Sequence, residues 1–118
     1  MADYAPRFVP GQNATYVATT PIVGGQLVEV TGNRSVGTAA DGSVKVVGVA
    51  LYDARVGDEV AVVRGGTQRL LAVGAIVAGD RVAPAANGAV STDTTGTIGL
   101  AVAGAADGGI AEINLTLV

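Results

Sequence analysis

The sequence predicts an all-β fold: a small barrel or sandwich of short strands with glycine turns, preceded by an extended N-terminal arm. Three observations carry this. From Ala111 to Leu117, apolar Ala111, Ile113, Leu115 and Leu117 alternate with Glu112, Asn114 and Thr116, the pattern of a strand with one buried and one wet face. Turn signals recur about every ten residues, as in barrels and sandwiches. No long amphipathic helical stretch lies between them. The best helix candidate, Ala83 to Ala86, contains Pro84 and is too short.

Along the chain, residues 1–13 form the arm and residues 14–118 a single β-barrel-like domain. Pro6 and Pro10 bracket Arg7-Phe8-Val9, and each proline biases its predecessor toward extended backbone. Tyr4 and Phe8 lie in the arm, Tyr16 just after it, and Tyr52 alone is distant. Gln26 to Thr31 and Glu59 to Arg64 alternate as half-buried strands. Val44 to Leu51 and Ile98 to Ala103 are nearly continuous apolar runs, which suit strands covered on both faces. One small barrel offers limited cover, so part of this surface is expected against sister subunits. Turns are signalled at Gly24-Gly25, Gly32-Asn33, Asp41-Gly42, Gly57-Asp58, Gly65-Gly66, Gly79-Asp80, Asn87-Gly88 and Asp107-Gly108-Gly109. Segments 22–28, 55–60 and 76–82 share one plan: an apolar residue, a glycine turn, a polar pair, then a strand. A recurring turn at the start of a strand explains the echo, since glycine reaches positive φ cheaply. Its spacing is too irregular for a solenoid.

A length of 118 residues is room for one domain. Hydrophobic residues make up 49% and aromatics 3%, so the core must be aliphatic. The absence of Cys and His removes disulfides, thiolate nucleophiles, imidazole bases and zinc sites built on them. The formal charge is −3, and the seven cations (Arg7, Arg34, Lys45, Arg55, Arg64, Arg69, Arg81) are spread singly. Nucleic acid, which needs a clustered basic surface, is not an expected partner. No apolar run approaches the roughly 18 residues that span a bilayer, so no membrane partner is expected. The N-terminus lacks the basic and apolar regions of a signal peptide, and synthesis in the host cytoplasm is expected.

No catalytic, cofactor-binding or metal residues emerge. Asp58-Glu59 is the one tempting carboxylate doublet, but strand neighbours point to opposite faces, so a solvated turn explains it better. Neither Gly65-Gly66 nor Gly108-Gly109 is followed by the Lys-Ser/Thr of a phosphate-binding loop. Asp41-Gly42-Ser43 and Asp107-Gly108 are too sparse for a calcium loop and read as hairpin turns. Lys45 is the only lysine. It can be compared with the modified lysine of biotinyl or lipoyl carrier domains, yet those display lysine at a hairpin tip. Inside an apolar strand, Lys45 reads instead as an outward or edge charge that discourages strand addition. Sequons begin at Asn13, Asn33 and Asn114; without a secretory signal they are coincidental.

The informative features are then the arm and the order of the strands. Met1 to Gly11, Thr15-Tyr16, Gly24 to Gly32, Val46 to Ala50, Ala54 to Asp58, Gly65 to Gln68 and Ala78 to Val82 together resemble the small cement, or head decoration, proteins of tailed bacteriophages. The resemblance runs from arm to last strand. It implies a β-rich barrel, no catalysis and no cofactor. It also implies attachment to the outer surface of an assembled capsid in the virion, on the major capsid protein, commonly as trimers. It supplies no transferable site residues, and Asn87 to Thr97 reads as a variable loop. Aromatics and Arg often dominate interfaces, so Tyr4, Pro6, Arg7, Phe8, Val9 and Pro10 are the candidate capsid or subunit interface. The competing reading folds Phe8 and Val9 back to close the barrel. A second class of function is a small β-barrel carrier or ligand-binding module of bacterial metabolism, which needs no aromatic-bearing arm.

Overall fold

The computed structural model describes residues 13–96 and 98–116. Ten strands follow one another: β1 (Ala14–Ala18), β2 (Leu27–Gly32), β3 (Ser35–Thr38), β4 (Val46–Ala50), β5 (Glu59–Val63), β6 (Gly66–Leu71), β7 (Arg81–Pro84), β8 (Val90–Thr92), β9 (Gly99–Ala103) and β10 (Ile110–Leu115). The all-β expectation holds. The segment weighed as a helix becomes the end of β7 and a single 3-10 turn at Ala86–Gly88, as Pro84 inside it requires.

The strands divide into a closed barrel, in the order β1-β3-β2-β4-β5, and a second five-stranded sheet, in the order β6-β10-β9-β7-β8. Antiparallel pairing of β1 with β5 closes the barrel, and β1 runs parallel to β3. The second sheet repeats each relation. β6 pairs antiparallel with β10, and a parallel bridge from Ala72 to Val90 stands where β1 meets β3. Isolated antiparallel bridges Ile22–Ala54 and Ile76–Ala105 also correspond.

The two halves are therefore copies of one unit. Ala18 and Ala72, Ile22 and Ile76, Val28 and Val82, and Val36 and Val90 are each 54 residues apart, and all eight are buried. After a loop three residues shorter, Ala50 matches Ala101 and Val62 matches Ile113 at a separation of 51. Hydrogen bonds repeat with them. The Gly25 N–H donates to the Ala50 carbonyl (2.8 Å) and the Gly79 N–H to the Ala101 carbonyl (2.7 Å). Thr38 Oγ1 donates to Gln26 Oε1 (3.3 Å), as Thr92 Oγ1 does to Asp80 Oδ2 (3.1 Å).

Gly48 and Gly99 show why a residue recurs. A Cβ on Gly48 would lie 2.3 Å from the Val63 carbonyl oxygen, and one on Gly99 2.5 Å from that of Asn114. Each glycine lets β4 or β9 press against the strand that follows.

The echo seen in the sequence is both a turn and a piece of this larger repeat. In 23–26, 55–58 and 77–80 the fourth residue's N–H donates to the first residue's carbonyl at 3.2, 2.9 and 3.0 Å. Its side chain accepts from the first residue's N–H. The third residue is glycine, with φ of 89°, 90° and 94°, the left-handed region that glycine enters without a Cβ penalty.

The cores repeat as well, with one difference. The barrel core gathers Ala18, Ile22, Val28, Val36, Ala50, Ala54, Val60 and Val62. The second core holds the counterparts of these, with that of Ala54 (Ala105) only partly buried, together with Leu70, Ile98 and Leu115. It also takes in Leu27, Ala39 and Val49 from the first half. Leu27 and Val49 face each other across β2 and β4. Their side chains leave the barrel outward and enter the second core, while neighbouring Val28 and Ala50 point into the barrel. In the second half the same two positions hold Arg81 and Leu100, also paired in register, and both are exposed. Of the two, only Arg81 gives this outer face the polarity that the terminal unit of a repeat array carries; Leu100 leaves it partly apolar.

The apolar run Val44 to Leu51 is thus covered on both faces from Gly48 to Ala50 by the two cores of one chain, while Val44 and Leu51 are exposed. Ile98 to Ala103 departs from the expectation of double cover, because Leu100 and Val102 face out while Ile98 and Ala101 face the core. Among the described residues, the wall that covers β4 has no copy over β9.

Candidate interaction surface

Where the halves meet, an open groove of about 440 Å3 is lined by Val23 to Gln26, Arg69, Leu71, Asn87, Gly88 and Ile110. One wall is the turn before β2. Leu71 and Ile110, directly paired across β6 and β10, supply another. At its base Gly88 (φ 71°) sits so close to β2 that a Cβ would fall 2.7 Å from the Gln26 Cβ and 2.9 Å from the Leu27 carbonyl oxygen. Gln26 fixes the turn by accepting from the Val23 N–H (3.1 Å). The chemistry on offer is apolar contact, backbone groups, the side-chain amides of Gln26 and Asn87, and one guanidinium, Arg69. No carboxylate lines the groove.

Further apolar side chains point outward in matching places on the two halves. Val23 and Leu51 are 56% and 54% exposed; their counterparts Val77 and Val102 are 65% and 51% exposed. Within each half the two lie side by side. The segment from Ile22 to Gln26 runs antiparallel to Ala50 to Ala54, and Gly24 packs against Tyr52, leaving 3.0 Å between a Cβ and the Tyr52 Cα.

Two carboxylates are held below their ordinary range. Glu29 is lowered chiefly by a hydrogen bond from the Ser43 side chain and then by the Ala40 N–H (3.1 Å), against some desolvation, with Lys45 helping. Asp93 is lowered by the Thr95 hydroxyl (2.7 Å) and the Thr95 N–H (2.9 Å). Both are loop fasteners. Glu29 ties down the 39–45 segment, which reaches across to the second half through Gly42 N–H to the Pro84 carbonyl (3.0 Å).

The arm residues singled out in the sequence, Tyr4, Pro6, Arg7, Phe8, Val9 and Pro10, lie outside the described residues. Asp58 is a turn residue, as expected, accepting from the Arg55 N–H (3.1 Å). Asp107 accepts from the Gly74 N–H (2.8 Å). Lys45 does not sit inside a strand: it precedes β4 and is exposed. Nor is it at a hairpin tip, because β3 and β4 flank β2 and do not pair. Among the described residues no set of three or more metal-ligating side chains converges, and no helix is long and apolar enough to cross a membrane. Arg69, Leu71 and Ile110 were not singled out in the sequence. Alternation alone marks Leu71 and Ile110 only as outward positions, and the signal that relates them to the first half is the repeat, at 54 residues for Leu71 and 51 for Ile110.

The architecture is a tandem pair of small β units with a groove between them. The phage cement protein family model matches residues 8–117. The chain belongs to that family and is a structural protein associated with the phage capsid. Among solved structures, the head fiber gp8.5 N base of bacteriophage phi29 is similar, with a TM-score of 0.71 and 20% identity over 88% of this chain and 92% of that one. At this identity the likeness speaks for the fold. No curated protein matches the sequence.

Proposed function

We propose that the protein is a non-catalytic cement that binds the outer surface of an assembled phage head and stabilises it by bridging neighbouring subunits of the major capsid protein. The observation that carries this reading is the family match over residues 8–117. The exposed apolar side chains of β9 and of the turns before β2 and β7 support it, because they give surface to a partner. On the shell the copies associate as trimers at a symmetry axis, since closed cyclic symmetry buries such surface without leaving it open to polymerise. The arm, through Tyr4, Pro6, Arg7, Phe8, Val9 and Pro10, lies across a capsid subunit or sister subunit. Its prolines reduce the entropy lost on docking. In this reading catalysis and cofactors play no part, and calorimetry with ATP, magnesium, calcium or zinc is expected to show no specific heat.

Co-sedimentation with purified mature and immature heads tests the reading. Saturable binding to mature heads supports it, and absence of binding to either form overturns it.

A further inference from the structure

We propose that the two halves dock separately, each through the same turn-and-strand patch, on two neighbouring copies of one shell subunit, so that one chain is a bivalent clip. This deepens the cement reading and rests on it. The patches are Val23 with Leu51 and Val77 with Val102, which occupy equivalent places in the repeat and are all about half exposed or more.

The recurrence needs a cause, because several other outward positions of the repeat have diverged in character, while Val17 and Leu71 have stayed apolar. Glu59 is matched by Ile110, Thr15 by Arg69 and Val56 by Asp107. Burial does not keep Val23, Leu51, Val77 and Val102 apolar, since they are exposed in both units. A ligand met twice does. A shell presents one subunit surface again and again, and a duplicated unit fits a repeated surface.

The chemistry of the partner spot follows from what borders the patches. Asp53 accepts from the Gly24 N–H (2.8 Å) beside Val23, and Asp80 accepts from the Val77 N–H (2.9 Å). A carboxylate thus borders each patch from a different side, Asp53 from the segment facing the turn in the first half and Asp80 from within the turn in the second. The matching surface is an apolar spot bordered by Lys or Arg, present once on each of two adjacent subunits. Free subunits offer one spot at a time, so they bind the clip weakly. The assembled shell offers both, and the second contact is then intramolecular, which multiplies affinity by roughly 10²–10⁴.

The test compares wild type, Leu51→Lys, Val102→Lys and the double variant on heads lacking this protein and on free shell subunits. These positions lie outside the groove, and melting curves verify that each variant is folded. Each single variant is expected to lose roughly 100-fold or more in apparent affinity for heads, by similar factors. Binding to free subunits falls only about twofold, and the double variant binds neither. Val23→Lys and Val77→Lys should repeat the pattern from the turn side. Neutrality of either single variant while the other abolishes binding overturns the two-patch proposal and leaves the cement reading intact. Neutrality of both overturns it likewise. Wild-type protein that fails to bind heads overturns the cement reading and the clip with it.

Discussion

At the scale of single residues, the most demanding positions carry no side chain. Gly48 and Gly99 sit where a Cβ would meet a carbonyl oxygen of the next strand at 2.3 and 2.5 Å. Backbone cannot yield there as a flexible side chain would. Gly48→Ala and Gly99→Ala are expected to destabilise by about 2 kcal/mol or more, in the range of overpacking, seen as a lowered Tm. Gly42→Ala is the contrast: nothing lies within 4 Å, but φ is 72°, so only the left-handed backbone penalty of about 1 kcal/mol applies. A melting series that ranks Gly42→Ala as the worst of the three contradicts this account.

At the scale of elements, the 39–45 loop shows what three extra residues do. The first half has them and the second does not, and in that loop Ala39 and Gly42 reach the second half. Glu29 holds the loop through Ser43 and Ala40. Because these bonds favour the charged carboxylate, its folded-state pKa lies below the 4.5 of a free glutamate. The stability it adds is complete above that value and is lost as pH falls through the folded value. Asp93 follows the same sign from its own ordinary value of 3.8. Melting from about pH 6 to about pH 3 should therefore show a decline that Glu29→Gln makes shallower. The effect is below about 1 kcal/mol, because Glu29 is partly exposed to solvent. An unchanged slope in that variant means the carboxylate does not fasten the loop.

At the scale of the whole molecule, the halves are alike in fold and unequal in dependence. The barrel core is built from its own residues, whereas the second core borrows Leu27, Ala39 and Val49. Leu27→Arg writes into the first half the residue that the second half carries as Arg81. It buries an unpaired charge, so the expected loss is several kcal/mol. Amide exchange should speed up first at Leu70, Val82 and Ile113. Protection lost first in the barrel would reverse the assignment of dependence. The arm bears on function at this same scale. Deleting Ala2 to Pro10 is expected to leave a folded barrel that no longer sediments with heads. Phe8→Ala should weaken binding by about 2 kcal/mol if Phe8 anchors the contact. A sharp fall in melting temperature on deletion would instead assign Phe8 to the core, and intact binding would remove the arm from the interface.

What the sequence determined alone follows from local chemistry. Alternation in Glu59 to Arg64 and Ala111 to Leu117 marked strands, because period two separates a buried from a wet face. Glycine at the third position of each turn marked where φ must be positive. The 22–28 and 76–82 echo was legible as a turn. It was not legible as a duplication, because identical core pairs such as Val28 and Val82 are single apolar residues among many, others differ in size as Val60 and Ala111 do, and the spacing shifts from 54 to 51 after the 39–45 loop. Tertiary structure decided the rest. Only the folded chain shows that Leu27 and Val49 leave one barrel to fill the other core, since burial of an outward-facing strand residue depends on what packs against it. For the same reason it took the fold to place Leu71 and Ile110 beside Val23 in one groove, and to set Val23 with Leu51 and Val77 with Val102 as matched patches. Contacts between residues far apart in the chain leave no period in the sequence.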